Sequence, residues 1–147
     1  MAELNTILAG FYERDLRKLI DEINLFQKEE DLWKTDGSVK NSAGNLALHI
    51  TGGLNFLIGT NLANTGYVRN RDLEFTQKGV PRKDLVTHLE ALILLINKTL
   101  NSLELESEYP MMFDGAKRSN SYLLIQLLAH LNYHTGQVNY LRRILER

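Results

Sequence analysis

Two of the four histidines in this 147-residue chain stand close together near its C-terminal end. The stretch AHLNYHTGQVNY, residues 129–140, contains His130 and His134, which are four residues apart. On a helix, side chains at this spacing share one face, with Cβ atoms about 5–6 Å apart. Two imidazoles placed in this way could bind one metal ion through nitrogen atoms at about 2.0–2.1 Å. The pattern H-x-x-x-H therefore indicates a candidate metal-binding pair, although it also recurs by chance.

A third histidine, His49, lies on the apolar face of an earlier segment, between Leu46 and Gly53. His130 and His134 continue the apolar stripe of their own segment, so all three imidazoles are predicted to face inward. Burying an imidazole without a hydrogen-bond partner costs roughly 1–3 kcal/mol. One metal ion that satisfies all three histidines is the simplest account. The alternative is that each histidine has its own partners in the core or lies at a bundle edge.

Two further residues bear on this hypothesis. His88 precedes Leu89 on a different segment, off the centre of its apolar stripe, and is predicted to be a surface or boundary residue. Gln137 follows His134 by three residues and is either a hydrogen-bond partner of a metal-binding histidine or an amide at the helix edge.

The elements that would position these residues are four helices with an apolar period close to 3.6 residues. They are predicted over about residues 2–28, about 41–64 with Asn41 or Ser42 as N-cap, from Pro81 to about Leu103, and from after Ser119 to about Leu145. No strand-like alternation and no repeat is visible. The predicted fold is therefore all-α, a four-helix bundle forming one domain over residues 1–147.

The connection TGYVRNRDLEFTQKGV, residues 65–80, is longer than most loops. Its 16 residues could span up to ~53 Å, whereas a 20-residue helix is only about 30 Å long. The second and third helices are therefore expected to be parallel neighbours or diagonal partners. The mixed charges Arg69, Arg71, Asp72 and Glu74 favour a solvated loop, the alternative being a loop that covers the site.

Glycines interrupt the second helix at Gly52 and Gly53, about one turn after His49, and at Gly59 further on. Glycine inside a helix costs about 1 kcal/mol relative to alanine. They would leave room for a ligand beside a metal, or allow close approach of another helix or subunit, which is the favoured interpretation.

Composition excludes several classes of function. The chain has 17 basic and 18 acidic residues, so nothing in its charge favours nucleic acid as a partner, and Arg142, Arg143 and Arg147 are interpreted as a solvated helix end. With no cysteine, disulfides, cysteine zinc sites and a cysteine nucleophile are excluded. Charge appears too early for a signal peptide, and apolar runs end well short of about 20 residues. A cytoplasmic protein without membrane segments is expected.

Two segments together resemble the DinB-like superfamily of metalloenzymes, which includes the YfiT-like proteins: NLALHITGGLNFLIG around His49, and HLNYHTGQVNYLRRIL from His130. The NRDLEF stretch is similar to a branch of that superfamily without an assigned function. The resemblance covers essentially the whole chain. It implies a bundle in up-down-down-up order, a homodimer, and zinc or nickel bound by His49, His130 and His134.

The resemblance also implies a range of activities, because related proteins include transferases and isomerases that use thiols such as mycothiol, bacillithiol or glutathione. The expected function is a metal-dependent enzyme, either a thiol-dependent transferase or a metal-assisted hydrolase. Candidate general bases are Tyr133, Asp15, Asp72 and Glu74, with no ranking among them. The alternative is a non-catalytic dimeric bundle in which the histidines or the metal are structural.

Overall fold

The computed structural model describes residues 2–147 and confirms the all-α class. The helices are α1 (Ala2–Leu25), α2, α3 (Arg71–Thr76), α4 (Arg82–Asn101) and α5 (Asn120–Leu145). Helix α2 is α-helical over Ala43–Leu54, passes through a π-helical turn at Asn55–Thr60, and ends with Asn61–Ala63. No strand occurs among residues 2–147, where two isolated β-bridges lie in the segment between α4 and α5. Met1, the first residue of the predicted domain, lies outside the described residues.

The four long helices lie close to their predicted positions. Ser42 caps α2 by accepting a hydrogen bond from the Asn45 amide, and Ser119 caps α5 in the same way. Helix α1 ends three residues earlier than predicted, because the chain turns into a short 3₁₀ helix over Glu29–Trp33.

The long connection contains a short helix, α3, that periodicity did not predict. The side chain of Asn70 caps it by accepting a hydrogen bond from the Leu73 amide at 3.2 Å. Asn45 of α2 donates to the backbone oxygens of Glu74 and Gln77 at 2.9 and 2.8 Å. These bonds fasten α3 to the side of α2.

The long helices pack around a shared apolar core. Helix α1 packs against α4 and α5, and α2 packs against α3, α4 and α5. Asn5 near the start of α1 donates to the oxygen of Leu100 near the end of α4 at 2.6 Å. Glu22 near the end of α1 binds Asn139 and Arg142 near the end of α5, at 2.7 and 3.0 Å.

Helix α2 differs from the expectation that no segment is long and apolar enough to cross a membrane. The helix spans 21 residues, Ala43–Ala63, and an 18-residue window within it has a mean hydropathy of 1.2, so it passes that test by length and composition alone. Amides, threonines and glycines interrupt its apolar runs without adding charge. One such helix carries little weight, because core helices of soluble proteins pass the same test, and 44% of this window is buried within the fold.

Candidate metal centre

The three predicted histidines meet between α2 and α5. His49 belongs to the second turn of α2, and His130 and His134 lie on successive turns of α5. The Nε2 atom of His130 is 3.1 Å from Nε2 of His49 and 3.0 Å from Nε2 of His134. One nitrogen from each ring falls within 4.8 Å of the others, so the cluster could hold a metal ion.

The prediction that all three face the core is correct for His49 alone, which is 9% exposed. His130 is exposed and His134 is half-buried. The buried stripe of α5 runs through Leu127, Leu131 and Thr135, one residue away from the two histidines at each turn. They therefore lie at the bundle edge, on the flank of α5 that faces α2.

The ring nitrogens on the outer side of the cluster have hydrogen-bond partners. Nδ1 of His49 lies 3.1 Å from Oε1 of Glu74. Nδ1 of His134 lies 2.7 Å from Oε1 of Gln137, which is the contact that the spacing suggested. Carboxylate and amide oxygens accept hydrogen bonds, so both Nδ1 atoms carry the proton. In a neutral imidazole this leaves a lone pair on Nε2, which is the form that binds a metal.

This arrangement of protons leaves the centre of the cluster short of donors. Nε2 of His49 and Nε2 of His134 both present lone pairs to Nε2 of His130. His130 has at most one proton on that nitrogen, so it cannot donate fully to both neighbours. A cation between the three atoms would satisfy all three lone pairs. Two nitrogens bound to one tetrahedral zinc ion are about 3.4 Å apart, given bonds of about 2.0–2.1 Å. The separations of His130 Nε2 from its two neighbours, 3.1 and 3.0 Å, are close to that value.

Glu74 is buried, with 6% of its surface exposed, and it is held by Arg69. Nε of Arg69 donates to Oε2 at 2.8 Å, and its NH2 nitrogen donates to Oε1 at 2.9 Å. The guanidinium balances the charge of the carboxylate that accepts the hydrogen bond from His49. The interpretation of this segment as a solvated loop is therefore wrong for Arg69 and Glu74, whereas Arg71 and Asp72 are exposed.

Gly52 and Gly53 of α2 leave the space that the side chains of Glu74 and Arg69 occupy. A Cβ on Gly52 would lie 2.7 Å from Cδ of Glu74, and one on Gly53 would lie 3.4 Å from a guanidinium nitrogen of Arg69. The space beside Gly52 is thus filled by the Glu74 side chain of the short helix α3, which approaches α2 closely at this point. A Cβ on Gly59 would lie 3.2 Å from Leu95 of α4, which is the close helix approach favoured from the sequence.

The surroundings of His130 and His49 favour their neutral forms. Partial loss of solvent around the ring, together with the neighbouring His134 and His49, lowers the pKa of His130 to about 4. Burial also lowers the pKa of His49, although its hydrogen bond to Glu74 opposes that shift. Neutral imidazoles are the species that bind metal ions, so protons compete weakly for this site near neutral pH.

Two open cavities flank the cluster. One of about 310 Å³ is bordered by His49 and His130, with Arg71 and Asp114 also lining it. Its apolar lining comes from both long helices and consists of Ile50, Leu54, Leu57, Leu127 and Leu131, with Phe113 from the segment before α5. The other, of about 530 Å³, is bordered by His134, Gln137 and Tyr133. A ligand could therefore approach the histidines from either side.

The remaining predicted residues are spread over the fold. Glu74, among the four candidate bases, contacts a histidine nitrogen, and the Tyr133 ring packs edge-on at 5.3 Å from the His134 ring. Asp15 is buried away from the cluster and binds Arg14 and Asn132. His88 is exposed on α4, as predicted.

Sequence reasoning missed the pairing of Arg69 with Glu74 and the position of Arg71 at the cavity. A signal was present, because Asn70 can cap a helix whose inward face then carries Glu74. The costly glycine at position 52 was the second signal, since it marks a close approach.

The fold and the site define an all-α protein with a three-histidine cluster that could hold a metal ion. The chain belongs to the DUF1572 family, described as a protein of unknown function, whose model matches residues 6–147. This family is grouped in the DinB/YfiT-like clan. Neither the curated proteins nor the solved structures include a match to the chain.

Proposed function

We propose that this protein is a metal-dependent enzyme of the DinB/YfiT-like superfamily, with zinc or nickel bound by His49, His130 and His134. The observation that carries the proposal is the convergence of three imidazoles, two of which, His49 and His134, donate from Nδ1 to Glu74 and Gln137. Three histidines leave coordination positions open, as catalytic zinc sites do. Imidazole suits nickel as well as zinc.

The topology we propose is a single up-down-down-up bundle. Contacts between Asn5 and Leu100 support opposite directions for α1 and α4, and contacts from Glu22 to the end of α5 support a common direction for α1 and α5. The contact of His49 with His130 joins α2 to the middle of α5. In this order the long connection crosses the bundle and brings Glu74 to His49.

The proposed metal, Glu74 and the adjacent cavity would have separate roles. When bound, the metal would supply Lewis acidity toward a thiol cosubstrate of the mycothiol, bacillithiol or glutathione type in a transferase, or toward water in a hydrolase. Glu74 holds the Nδ1 proton of His49 and so fixes the tautomer that binds metal. The cavity beside His49 and His130 has the size and apolar lining of a small-molecule site.

We further propose that the protein is a cytoplasmic homodimer that binds neither nucleic acid nor membranes. A formal net charge of -1 supports the lack of nucleic-acid and membrane binding, and the absence of cysteine suits the cytoplasm. The resemblance to the DinB-like superfamily supports the dimer. Sedimentation velocity tests the dimer, which predicts twice the chain mass of 16.8 kDa. A monomer at micromolar concentration would contradict it.

Chelation tests catalysis against the alternative of a structural metal. Metal-loaded, metal-free and His49→Ala protein are compared for melting temperature and for turnover with panels of thiols and hydrolysable esters. A catalytic centre predicts turnover that is lost without metal or without His49, while the melting temperature changes little. A structural metal predicts a marked fall in melting temperature on chelation, because the free energy of metal binding would then be folding free energy.

A further inference from the structure

Arg71 places a positive charge at the cavity beside the histidines. It is the first residue of α3, and its guanidinium carbon lies 5.5 Å from the centre of the Phe75 ring. The same ring lies 4.8 Å from the His49 ring. Arg71 is therefore separated from the candidate metal centre by one aromatic ring, and it lines the 310 Å³ cavity together with His49 and His130.

The charge of Arg71 is available to a ligand. Arg69, the other arginine at this cavity, is committed to Glu74 by two hydrogen bonds. Arg71 is exposed and, among residues 2–147, forms no ion pair with a carboxylate. Its ring contact leaves the planar N–H groups free to bind a carboxylate in bidentate geometry.

The backbone of Arg71 is held in place from both sides. Asn70 caps α3 directly before it, and Glu74 three residues later is buried against α2. An arginine whose backbone is already held loses less conformational entropy on binding than one on a free loop.

The rest of the cavity restricts the shape and charge of the ligand. Its lining is apolar at Ile50, Leu54 and Leu127, which suits an aliphatic or aromatic body. Asp114 also lines it and is exposed, so a second anionic group would meet a like charge. At about 310 Å³, the cavity is at the small end of the range for ligand sites, roughly 300–1,000 Å³.

We propose that this cavity binds a small amphipathic monoanion, with its carboxylate at Arg71 and its apolar body between α2 and α5. This inference deepens the proposed function and rests on it for treating the cavity as the substrate site. Binding at Arg71 itself, however, is a property of the chain that can be measured without metal.

The test uses hexanoate as probe, with hexanamide as its neutral analogue and adipate as a dianion of equal carbon number. Calorimetric titrations are carried out on metal-free and metal-loaded protein, as wild type, Arg71→Gln and Arg143→Gln. Arg143 is the matched control, because it is exposed and, like Arg71, contacts an aromatic ring, its guanidinium carbon lying 5.4 Å from the centre of the Tyr140 ring. It does not line this cavity. Metal content is determined in the same samples.

The proposal predicts that metal-free wild type binds hexanoate about tenfold more tightly than hexanamide or adipate, because one charged hydrogen-bonded pair is gained without repulsion. Arg71→Gln should remove that preference and Arg143→Gln should keep it. Equal hexanoate affinity in wild type and Arg71→Gln, stronger binding of adipate, or no hexanoate binding would overturn the proposal. If the preference is lost in Arg71→Gln and the wild type takes up no metal, the proposal for Arg71 would stand while the metal centre would be refuted.

Discussion

The carboxylate of Glu74 occupies the space in which a side chain at position 52 would lie. A Cβ on Gly52 would be 2.7 Å from Cδ of Glu74 and would collide with Oε2. The other oxygen of the same carboxylate accepts a hydrogen bond from Nδ1 of His49. Residue 52 is one turn from His49 on α2, so the glycine and the carboxylate together set the orientation of one metal-facing imidazole.

Replacing Gly52 with alanine should weaken metal binding about 10–100-fold, the usual effect of losing the partner of a metal-binding histidine. The added methyl group displaces Glu74 without changing any charge. Competition with a chromophoric chelator measures the affinity. Gly136→Ala is the matched control, because no heavy atom lies within 4 Å of its added Cβ. That variant should bind metal normally and gain up to about 1 kcal/mol of stability from helix propensity. Normal metal affinity in Gly52→Ala would refute the account of Glu74.

Glu74→Gln tests the same contact electrostatically. The neutral amide is a weaker acceptor for the His49 proton and leaves the half-buried Arg69 without its counter-ion, so we expect a similar loss of metal affinity. The double variant with Gly52→Ala should bind metal only slightly more weakly than either single variant, because both substitutions remove the same interaction. Glu108→Gln, at an exposed ion pair with Lys117, serves as control. Additive losses in the double variant would show that the two residues act separately.

Gln137→Leu should have a smaller effect, at most about tenfold on metal affinity. Gln137 is exposed, so water can accept the Nδ1 proton of His134 when the amide is removed. The same chelator competition measures it. A loss greater than that of Glu74→Gln would contradict the ranking of the two partners.

Acid should destabilise the metal-free protein through His130. Its pKa in the folded chain is about 4, below the ordinary value of 6.5, so the unfolded chain takes up a proton that the folded chain does not. This contribution to the free energy of unfolding is lost as the pH falls from about 6.5 to about 4. Urea denaturation at pH 7 and pH 4.5 should show a larger loss for wild type than for His130→Ala. Equal losses in the two proteins would contradict the shifted pKa.

Much of the fold could be predicted from the sequence, because long apolar stripes near a 3.6-residue period leave few alternatives to helix. The caps follow from local hydrogen bonding: Ser42 was one of two candidates for α2, and the start of α5 was predicted directly after Ser119, which caps it. Helix α3 was missed because six residues are too few for a periodic signal, and Asn45 of α2 stabilises it through bonds to the backbone oxygens of Glu74 and Gln77.

The histidine cluster was predictable by spacing, but its environment was not. Periodicity located His130 and His134 to within one residue of the buried stripe, an error that moves a side chain from the core to its edge. The buried pair of Arg69 and Glu74 depends on how the connection folds over Gly52. Charged residues in a loop give no local indication of burial, since the surface that buries this pair, at His49 and Gly52, lies on another element.

The metal content of the purified protein tests the central claim most directly. Tag-free wild type, His130→Ala and His88→Ala are incubated with zinc or nickel, dialysed and subjected to elemental analysis. His88 is the matched control, an exposed histidine outside the cluster. The account predicts about one ion per chain in wild type and His88→Ala, and little or none in His130→Ala, which lacks the nitrogen that contacts both neighbours. No metal in wild type, or equal metal in His130→Ala, would contradict it.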